Sequence, residues 1–283
     1  MREISCSLIT EKVAEMCISA NKILPLDVEA AVRGAYNIEE TELGKHVLKQ
    51  LAINLDVARD KDLPICQDTG MAILFVTIGQ DVHITGGSLT DALNEGVSRG
   101  YTEGYLRKSI VGDPVERKNT GDNTPAVIHY EIVPGDELTI TMMAKGAGSE
   151  NKSRLFMLKP SDGLEGIKKA VLTAVQDAGA DSCPPMFIGV GIGGTFEKCA
   201  ILAKKALSAG VQGTEQDSRP EWIKSLESTL LEEINRLPIG PAGLGGSVTA
   251  LSVRVEAYAT HIASLPVAVN TCCHVNRHIS CSL

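Results

Sequence analysis

The chain has 283 residues, with 27 Lys and Arg against 35 Asp and Glu, so its formal charge is −8. An acidic chain without a basic run is a poor match for nucleic acid or for an anionic membrane surface. No apolar stretch reaches the roughly 18 residues that span a bilayer, and the N-terminus lacks the apolar segment of a secretory signal. We therefore expect a cytoplasmic protein whose eight cysteines stay reduced.

The first half of the sequence alternates between helical and strand patterns. Apolar residues at helical spacing predict three helices in the first sixty residues, over 10–22, 26–36 and 42–59. Pro64 ends this pattern, and the β-branched apolar run that follows it predicts a buried strand over 71–78. A helix is expected over 88–107. Two further apolar runs, 126–133 and 138–144, predict an antiparallel hairpin closed by a four-residue loop.

The second half begins with a glycine-rich elbow at 145–152. The same rules then predict helices over 163–178, 195–208 and 220–237 and strands over 186–192 and 248–255. Residues 209–219 are expected to form a polar connection, and the Gly/Pro-rich segment 238–247 a structured loop. The pattern favours a mixed α/β fold, in which a helical N-terminal segment is followed by mixed sheets flanked by helices. We expect a single domain over 1–283.

One local pattern, Gly189-Val-Gly-Ile-Gly-Gly194, lies between a predicted strand and a predicted helix. Such a GxGxxG motif can hold the pyrophosphate of a dinucleotide at a helix N-terminus, as in a nicotinamide-dependent oxidoreductase. The acidic ribose ligand expected at the end of a second strand is replaced by the polar stretch 212–219, in which Glu215 is not at a strand end. Close packing of strand against helix is therefore the favoured role of these glycines.

The cysteines divide by context. Cys17 and Cys199 fall on apolar helical stripes and are predicted core residues, whereas Cys6 and Cys281, near the termini, are expected to be exposed thiols. The others are Cys66, Cys183, Cys272 and Cys273. None belongs to a C-x-x-C pair, so zinc-ribbon and ferredoxin spacings are absent. Loops from distant segments can share a metal site, but spacing alone does not show that these do.

Several strings together resemble one family. They are Cys66-Gln-Asp-Thr-Gly70, Arg117-Lys-Asn-Thr-Gly-Asp-Asn-Thr-Pro-Ala126, Ala144-Lys-Gly-Ala-Gly-Ser-Glu-Asn-Lys152, Cys183-Pro-Pro185, and His261 followed twelve residues later by Cys273. In this order, from about residue 10 to the C-terminus, they look like the iron–sulfur-dependent (class I) fumarase and L-tartrate dehydratase family. The chain resembles the α subunit of the two-subunit form.

The resemblance implies a [4Fe-4S] cluster held by Cys66, Cys183 and Cys273, with one iron left open to substrate. An open iron acts as a Lewis acid on a departing hydroxyl group, which is otherwise a poor leaving group. Cys272 is an alternative third ligand, although the twelve-residue step from His261 favours Cys273.

The resemblance also implies a dicarboxylate substrate, which needs fixed cations and backbone donors around it. Arg107, at the end of the predicted helix, matches the family's substrate arginine. The other implied substrate-binding residues are Gln67, Asp68, Gly148, Asn151, Lys152 and His261. Of these, Asp68 and His261 are the expected catalytic residues.

Three residues near these motifs are left out of the expected site. For Asp122 and Asn123, hydrogen bonds that order a turn are the simpler role. Arg277 lies four residues after Cys273 and either balances the charge of the cluster or is a surface charge near the C-terminus.

The chain ends ten residues after Cys273, without the C-terminal domain that carries the proton acceptor in single-chain members. The resemblance therefore implies a separate β subunit and a higher oligomer, with this chain nearly inactive alone. The implied reaction is the reversible hydration of fumarate to L-malate, a step of the tricarboxylic acid cycle. L-tartrate dehydration to oxaloacetate is the alternative in the same family, and a non-catalytic iron–sulfur protein is a more remote one.

Overall fold

The structure, a computed structural model, describes residues 2–211 and 218–283. They form two compact units, each assembled from separate stretches of the chain. The first unit comprises 2–25, 55–147 and 277–283, and the second comprises 26–54, 148–211 and 218–276. Helices and sheets occur in both units, which confirms the predicted mixed α/β class. That residues 1–283 work as one cluster-binding domain stays a prediction.

The helices are α1 (Cys6–Lys22), α2 (Leu26–Ile38), α3 (Glu42–Asp60), α4 (Leu89–Glu103), α5 (Ala147–Glu150), α6 (Gly163–Ala178), α7 (Phe196–Ala206) and α8 (Glu221–Asn235). The strands are β1 (Arg2–Ser5), β2 (Met71–Gly79), β3 (Val82–Thr85), β4 (Val127–Val133), β5 (Leu138–Lys145), β6 (Arg154–Leu158), β7 (Met186–Gly193), β8 (Ala250–Tyr258), β9 (Leu265–Cys272) and β10 (His278–Ser282). The predicted helices are all present, and each differs from its predicted range by a few residues at most.

The first unit packs helices α1 and α4 on a four-stranded sheet with the order β10-β5-β2-β4. The apolar stripe of α1 is fully buried at Ile9 and Val13. The two helices approach closely because α4 carries glycine where they meet. A Cβ at Gly96 would lie only 2.6 Å from Cβ of Val13. The short strands β1 and β3 pair in parallel beside this core.

The predicted hairpin of 126–133 with 138–144 is wrong. Strand β2 lies between the two strands, parallel to β4 and antiparallel to β5. The reason is burial, because Leu74 and Val76 of β2 are almost completely inaccessible and require a neighbouring strand on each side. Strand β4, in which no residue is fully buried, occupies the edge instead.

The helix expected over 88–107 ends earlier. Helix α4 stops at Glu103, where Gly104 donates its N–H to the carbonyl of Gly100, and Tyr105 then adopts a left-handed φ of 52°. Arg107 therefore lies in the loop after the helix and not at its end.

The second unit is built on a four-stranded sheet with the order β6-β9-β7-β8. Helices α6 and α8 contribute the apolar cluster on one face, in which Val171, Val190, Leu230 and Val255 are fully buried. Helix α7 packs on β7 and β9 through Cys199, Ala203 and Ala268. Strands β6 and β9 were not expected from the sequence.

The glycines of the GxGxxG motif pack strand β7 against helix α7, as favoured from the sequence. A Cβ at Gly189 would lie 2.0 Å from the carbonyl oxygen of Ala203, and one at Gly191 would lie 2.0 Å from that of Cys199. No side chain larger than hydrogen fits at either position without moving the helix.

The thiols follow the predictions in part. Cys17 and Cys199 are completely buried, as expected, but Cys6 is also buried in the core of the first unit, and Cys281 packs against that core. The exposure predicted for these two thiols is therefore wrong, because β1 and β10 hold both chain ends in the unit.

The Gly/Pro-rich segment 238–247 is ordered by its own backbone. The N–H of Gly245 donates to the carbonyl of Ile239 at 2.8 Å, and a 3₁₀ turn covers Pro241–Gly243. Of the predicted connection 209–219, residues 212–217 lie outside the described residues, and so does Glu215.

Within the described residues, no helix is long and apolar enough to cross a membrane.

Candidate active site

The loop that carries Cys66 lies in the first unit, directly before β2. Cys66 is half-buried, while Thr69 and Gly70 are buried and tied down by hydrogen bonds. The hydroxyl of Tyr101 donates to the carbonyl of Thr69 at 2.8 Å and lies 3.2 Å from that of Gly70. Burial raises the pKa of Tyr101 far above its usual value, so its hydroxyl stays protonated and remains a donor. The Cys66 loop is thus a fixed turn.

The structure brings Arg107 to the Cys66 loop. Its backbone N–H donates to Oγ1 of Thr69 at 2.9 Å, and this hydroxyl lies 3.2 Å from the Arg107 carbonyl oxygen. The guanidinium Nη1 donates to Oε1 of Gln67 at 3.1 Å. Arg107 remains largely exposed, so the fork of the guanidinium keeps N–H groups free to bind a carboxylate.

Asp68, the next residue of the loop, directs its carboxylate at backbone donors. Oδ1 accepts from the N–H of Gly70 at 2.9 Å, and Oδ2 accepts from the N–H of Ala147 at 3.0 Å. These two bonds orient the carboxylate and leave lone pairs for a further contact. Gln67, Asp68 and Arg107 therefore form one polar group next to Cys66.

Arg277 is a buried member of this group that was left out at the sequence level. Its Nη1 donates to the carbonyl of Asp68 at 2.8 Å and to Oδ1 of Asn21 at 2.9 Å. The residue is 3% exposed, so the alternative of a surface charge is wrong. The sequence carries little signal for this, because Asn21 is 256 positions earlier in the chain.

Asn123 also belongs to the support of the Cys66 loop. It is completely buried, donates from Nδ2 to the carbonyl of Gly70 at 3.2 Å, and accepts at Oδ1 from the N–H of Ser109 at 2.7 Å. Asp122 has the turn role expected for it, since Oδ1 accepts from both the N–H and the hydroxyl of Thr124. Both residues therefore have roles in ordering the loop, which agrees with their omission from the expected site.

In the second unit, the loops of Cys183 and Cys273 are in contact. The carbonyl oxygen of Cys183 lies 3.1 Å from Nδ1 of His274 and 3.5 Å from its backbone nitrogen. Cys183 is exposed and adopts a left-handed φ of 52° at the end of a 3₁₀ turn. A non-glycine residue in this conformation stores strain, which is a feature of functional turns.

The two neighbouring cysteines after β9 differ in accessibility. Cys272 is the last residue of the strand, pairs with Phe187 and is 3% exposed. Cys273 follows the strand, is half-buried, and places its Sγ 3.9 Å from the carbonyl of Val275. The more accessible thiol favours Cys273 as a ligand, and its role stays a prediction.

The glycine-rich loop with Gly148, Asn151 and Lys152 lies at the same end of the second unit's sheet. The hydroxyl of Thr271, near the end of β9, donates to the carbonyl of Ser149 at 2.7 Å. Nζ of Lys152 lies 2.5 Å from Oδ2 of Asp181, two residues before Cys183. Five predicted site residues are thus gathered at one end of this unit, namely Gly148, Asn151, Lys152, Cys183 and Cys273.

The turn of Cys183 rests on the ordered Gly/Pro-rich segment. The N–H of Ala242 donates to the carbonyl of Pro184 at 2.8 Å. Gly243 faces Ala180 so closely that a Cβ there would lie 2.3 Å from the Ala180 side chain. The segment therefore acts as the support of the loop that carries Cys183.

His261 is placed away from these residues within the second unit. It follows β8, whose last residue Tyr258 pairs with Gly193 at the end of β7, whereas Cys183 precedes the start of β7. The eight residues of β7 separate the two ends by roughly 25 Å. His261 is exposed and borders a cavity of about 650 Å³, which Lys198 and Thr260 also line.

Comparison with known proteins gives the family. The sequence profile described as fumarate hydratase (Fumerase) matches residues 10–282. The chain belongs to this family. A putative L(+)-tartrate dehydratase subunit alpha of Methanocaldococcus jannaschii is 41% identical over 275 residues, 95% of this chain and 95% of the relative. The L(+)-tartrate dehydratase subunits alpha of Escherichia coli and Shigella boydii are 33% and 32% identical over 273 residues, 95% of this chain and 88% of each relative.

Membership of the fumarate hydratase family confirms the predicted enzyme class, a hydro-lyase. The names of the relatives fit the tartrate alternative better than fumarate, the substrate expected first. The family is generally iron–sulfur dependent, and the side chains that could bind such a group in this chain are its cysteines.

The residues of the fumarate hydratase motifs fit an iron–sulfur group in chemical type. None of the eight cysteines forms a disulfide, and thiolates are the usual ligands of such clusters. Within the described part of the chain, no three His, Cys, Asp or Glu side chains gather closely enough to hold one metal ion. Thiolates of a cluster bind different irons and need not converge on one point. In addition, Nε of the buried Arg277 has no hydrogen-bond partner, which suits an anionic group nearby.

Proposed function

We propose that this chain is the cluster-bearing α subunit of a hydro-lyase that dehydrates L-tartrate to oxaloacetate. The observation that carries the proposal is the pairing of Arg107 with Gln67 in the turn that follows Cys66. It puts a cation and an amide, both suited to a carboxylate, one residue from a proposed metal ligand. The names of the relatives support tartrate as the substrate.

The proposed ligands of a [4Fe-4S] cluster are Cys66, Cys183 and Cys273. When bound, such a cluster supplies a Lewis acid for the hydroxyl group that leaves as water. The contact of Cys183 with His274 supports a shared role for two of these cysteines, because it holds their loops together. Soft thiolate donors suit iron–sulfur chemistry better than the hard oxygen donors that bind Mg²⁺ or Ca²⁺.

The chain's own residues would bind and orient the dicarboxylate. Arg107 offers a planar fork to one carboxylate, and Gln67 fixes the rotation of that fork. Lys152, whose Nζ lies 2.5 Å from Oδ2 of Asp181 beside the Cys183 turn, is proposed to bind the second carboxylate. Asp68, oriented by the N–H groups of Gly70 and Ala147, is proposed to accept a hydrogen bond from a hydroxyl group of the substrate.

A catalytic role of His261 has a geometric consequence. Within one chain, about eight strand residues separate His261 from the end of the sheet that carries Cys183 and Cys273. A histidine side chain cannot cover roughly 25 Å. If His261 contacts the substrate held beside these cysteines, it therefore does so in the site of a second copy of the chain. This is the reason to propose a higher oligomer.

A separate β subunit is proposed as the partner. The relatives are named as alpha subunits, which supports a second kind of chain in the complex. The β subunit would supply the group that takes the proton from the neighbouring carbon. In this arrangement the chain alone holds the cluster but turns over little substrate.

Hydration of fumarate to L-malate is the second candidate, and the description of the family profile favours it. It would place the enzyme in the tricarboxylic acid cycle. The two substrates of dehydration, malate and tartrate, differ by one hydroxyl group, which is a small difference for a site that already binds oxygen atoms.

Anaerobic reconstitution of the full chain, with and without its partner, tests the proposal. The loaded enzyme is assayed with L-tartrate, D-tartrate, L-malate and fumarate at matched concentrations. A higher kcat/KM for L-tartrate, dependent on the partner, supports the proposal, and a higher value for malate and fumarate selects the second candidate. A loaded complex without turnover of any of these acids would identify a non-catalytic iron–sulfur protein.

A further inference from the structure

Arg277 presents an unusual electrostatic situation in the first unit. It lies immediately before β10, is 3% exposed, and donates only to two neutral oxygens, the carbonyl of Asp68 and Oδ1 of Asn21. Its Nε has no hydrogen-bond partner. Among the described residues, no carboxylate forms an ion pair with this guanidinium.

Such an arrangement is costly unless an anion completes it. Removing a charged group from water costs several kcal/mol, and neutral hydrogen bonds recover only part of that cost. Buried charges in proteins are normally paired with an opposite charge or lie beside a metal centre. The position of Arg277 therefore points to a negatively charged group that binds beside it.

The surroundings of Arg277 indicate where that group lies. Its hydrogen bond ends on Asp68, two residues from Cys66. On the other side is Gly146, where a Cβ would lie 3.7 Å from Nη2 of Arg277 and 3.2 Å from Oδ2 of Asp68. A side chain at this position would therefore contact both the guanidinium of Arg277 and the carboxylate of Asp68. The guanidinium of Arg277 thus contacts the turn that carries the proposed metal ligand.

We propose that Arg277 is a positioning residue that fixes the Cys66–Asp68 turn and supplies the counter-charge of the anionic iron–sulfur group bound there. The inference rests on the proposed function, because it takes Cys66 as a ligand. The role of Arg277 is nevertheless a separate claim, because a cluster could bind at Cys66 without Arg277. A purely structural Arg277 would only tie the start of β10 to the turn.

Three substitutions separate the charge from the hydrogen bonds. Arg277→Gln removes the charge, and Arg277→Lys keeps it. Asn21→Asp keeps the guanidinium and its acceptor but adds a carboxylate at 2.9 Å, so the net charge is neutralised in place. This substitution also removes the donor from Nδ2 of Asn21 to the carbonyl of Cys17, four residues earlier. Asn94→Asp is the control for that loss, because Asn94 donates from Nδ2 to the carbonyl of Thr90 but accepts at Oδ1 from a backbone N–H and not from a guanidinium.

The readouts are the reduction potential of the reconstituted cluster, the rate of iron loss to a chelator, and the gain in Tm of the full chain on cluster loading. A nearby positive charge favours the reduced, more negative cluster. We expect Arg277→Gln and Asn21→Asp to move the potential to more negative values. We also expect them to shrink the Tm gain and to speed iron loss by roughly tenfold, the usual effect of losing a support residue. Arg277→Lys should restore most of the potential, and Asn94→Asp should match the wild type.

The inference is overturned if Asn21→Asp keeps the wild-type potential and iron-loss rate while Arg277→Gln and Arg277→Lys are equally impaired. That pattern assigns Arg277 a structural role alone. If Arg277→Gln does not fold, Asn21→Asp against Asn94→Asp still decides the question. If the wild-type chain takes up no cluster, the proposed function fails. If it takes up a cluster and Asn21→Asp behaves like the wild type, only the inference about Arg277 fails.

Discussion

The carboxylate of Glu39 accepts a hydrogen bond at Oε2 from the backbone N–H of Val248, 209 residues further along the chain, at 3.0 Å. Ser247 donates its N–H to the same oxygen at 3.0 Å, and Thr41 donates its N–H and its hydroxyl to Oε1. Glu39 is 3% exposed. It thereby fixes the end of the segment that supports the Cys183 turn through Ala242 and Pro184.

Replacement of Glu39 by glutamine should destabilise the protein in a pH-dependent way. Burial alone would raise the pKa of Glu39, but the hydrogen bonds from Thr41, Ser247 and Val248 outweigh it and lower the pKa below the ordinary value of 4.5. A lowered pKa in the folded state contributes stability above pH 4.5 that is lost as the pH falls through the folded pKa. At pH 7 we expect Glu39→Gln to cost about 2–3 kcal/mol, because an amide donor then faces N–H donors.

The measurement is the free energy of unfolding in urea, followed from pH 7 downward. The gap between the wild type and Glu39→Gln should narrow as the pH drops below 4.5. Glu40→Gln serves as the control, because the neighbouring side chain is exposed and should change the free energy by less than about 0.5 kcal/mol. A gap that stays constant with pH would show that the charge of Glu39 does not contribute.

Replacement of Gly191 by alanine tests the role of the glycine motif. A Cβ would lie 2.0 Å from the carbonyl oxygen of Cys199, so helix α7 must move away from β7. We expect a loss of about 1–3 kcal/mol in the free energy of unfolding, the usual cost of overpacking. Gly34→Ala, in helix α2 with no atom within 4 Å of the new Cβ, should instead stabilise the chain by about 0.5–1 kcal/mol.

The same variants address the dinucleotide interpretation. If the glycines serve packing, nicotinamide dinucleotides should not protect the wild-type chain against thermal unfolding. Saturable binding of such a nucleotide by the wild type, lost in Gly191→Ala, would contradict this assignment. Calorimetry on the full chain measures both outcomes.

Local sequence patterns predicted the helices and the strands with continuous apolar runs. In these elements the spacing of the apolar residues directly reflects which face is buried. They failed where pairing partners decide the structure. The antiparallel hairpin was predicted from a short loop, yet β2 separates its two strands. Strand β9 was missed since Pro266 is its second residue and Asn270 and Thr271 interrupt its apolar run, although it is a central strand of its sheet.

The candidate site shows the same division. The motif strings identified Gln67, Asp68 and Arg107, and the structure brings these three together. The sequence analysis did not place Arg277 in the site, because its burial depends on Asn21, at the other end of the chain. No local pattern marks a charge whose surroundings come from such distant segments. The position of His261 at the other end of its sheet could not be read from the chain either, because it depends on strand order.

Substitutions at Arg107 and Gln67 should weaken substrate binding selectively. Arg107→Lys loses the planar fork, and Gln67→Glu places a carboxylate 3.1 Å from the guanidinium, where it competes with the substrate. We expect each to lower kcat/KM by roughly 10–100-fold, mainly through KM, since a charge-assisted hydrogen bond contributes about 1.5–3 kcal/mol.

The assay is steady-state turnover of the reconstituted complex with its preferred dicarboxylate. Arg99→Lys is the control, because Arg99 is exposed on α4 and its ion pair is with Glu103 on the same helix at 3.2 Å. Unchanged KM values in both site variants would remove Arg107 from the substrate site. A loss of cluster content in these variants would point to a structural effect and is checked by iron and sulfide analysis.

Complementation between two inactive variants decides how His261 takes part. We expect His261→Ala and Cys183→Ser each to abolish most of the activity when present in every copy. Because His261 and Cys183 lie at opposite ends of one sheet, a copy with an intact cluster site would receive its histidine from a neighbour. Co-expressed chains with different tags, purified as mixed oligomers, should therefore recover about half of the activity of the wild type at most, since only one kind of site is complete.

If both residues act within one chain, every site of the mixed oligomer lacks one of them. Mixed oligomers with no more activity than the two parents would then refute the exchange of His261 between copies. Mixing two differently tagged samples of His261→Ala provides the matched control for the purification. Recovery in the mixed sample but not in this control requires a site in which the histidine and the cysteine come from different chains, which is what the strand order of the second unit predicts.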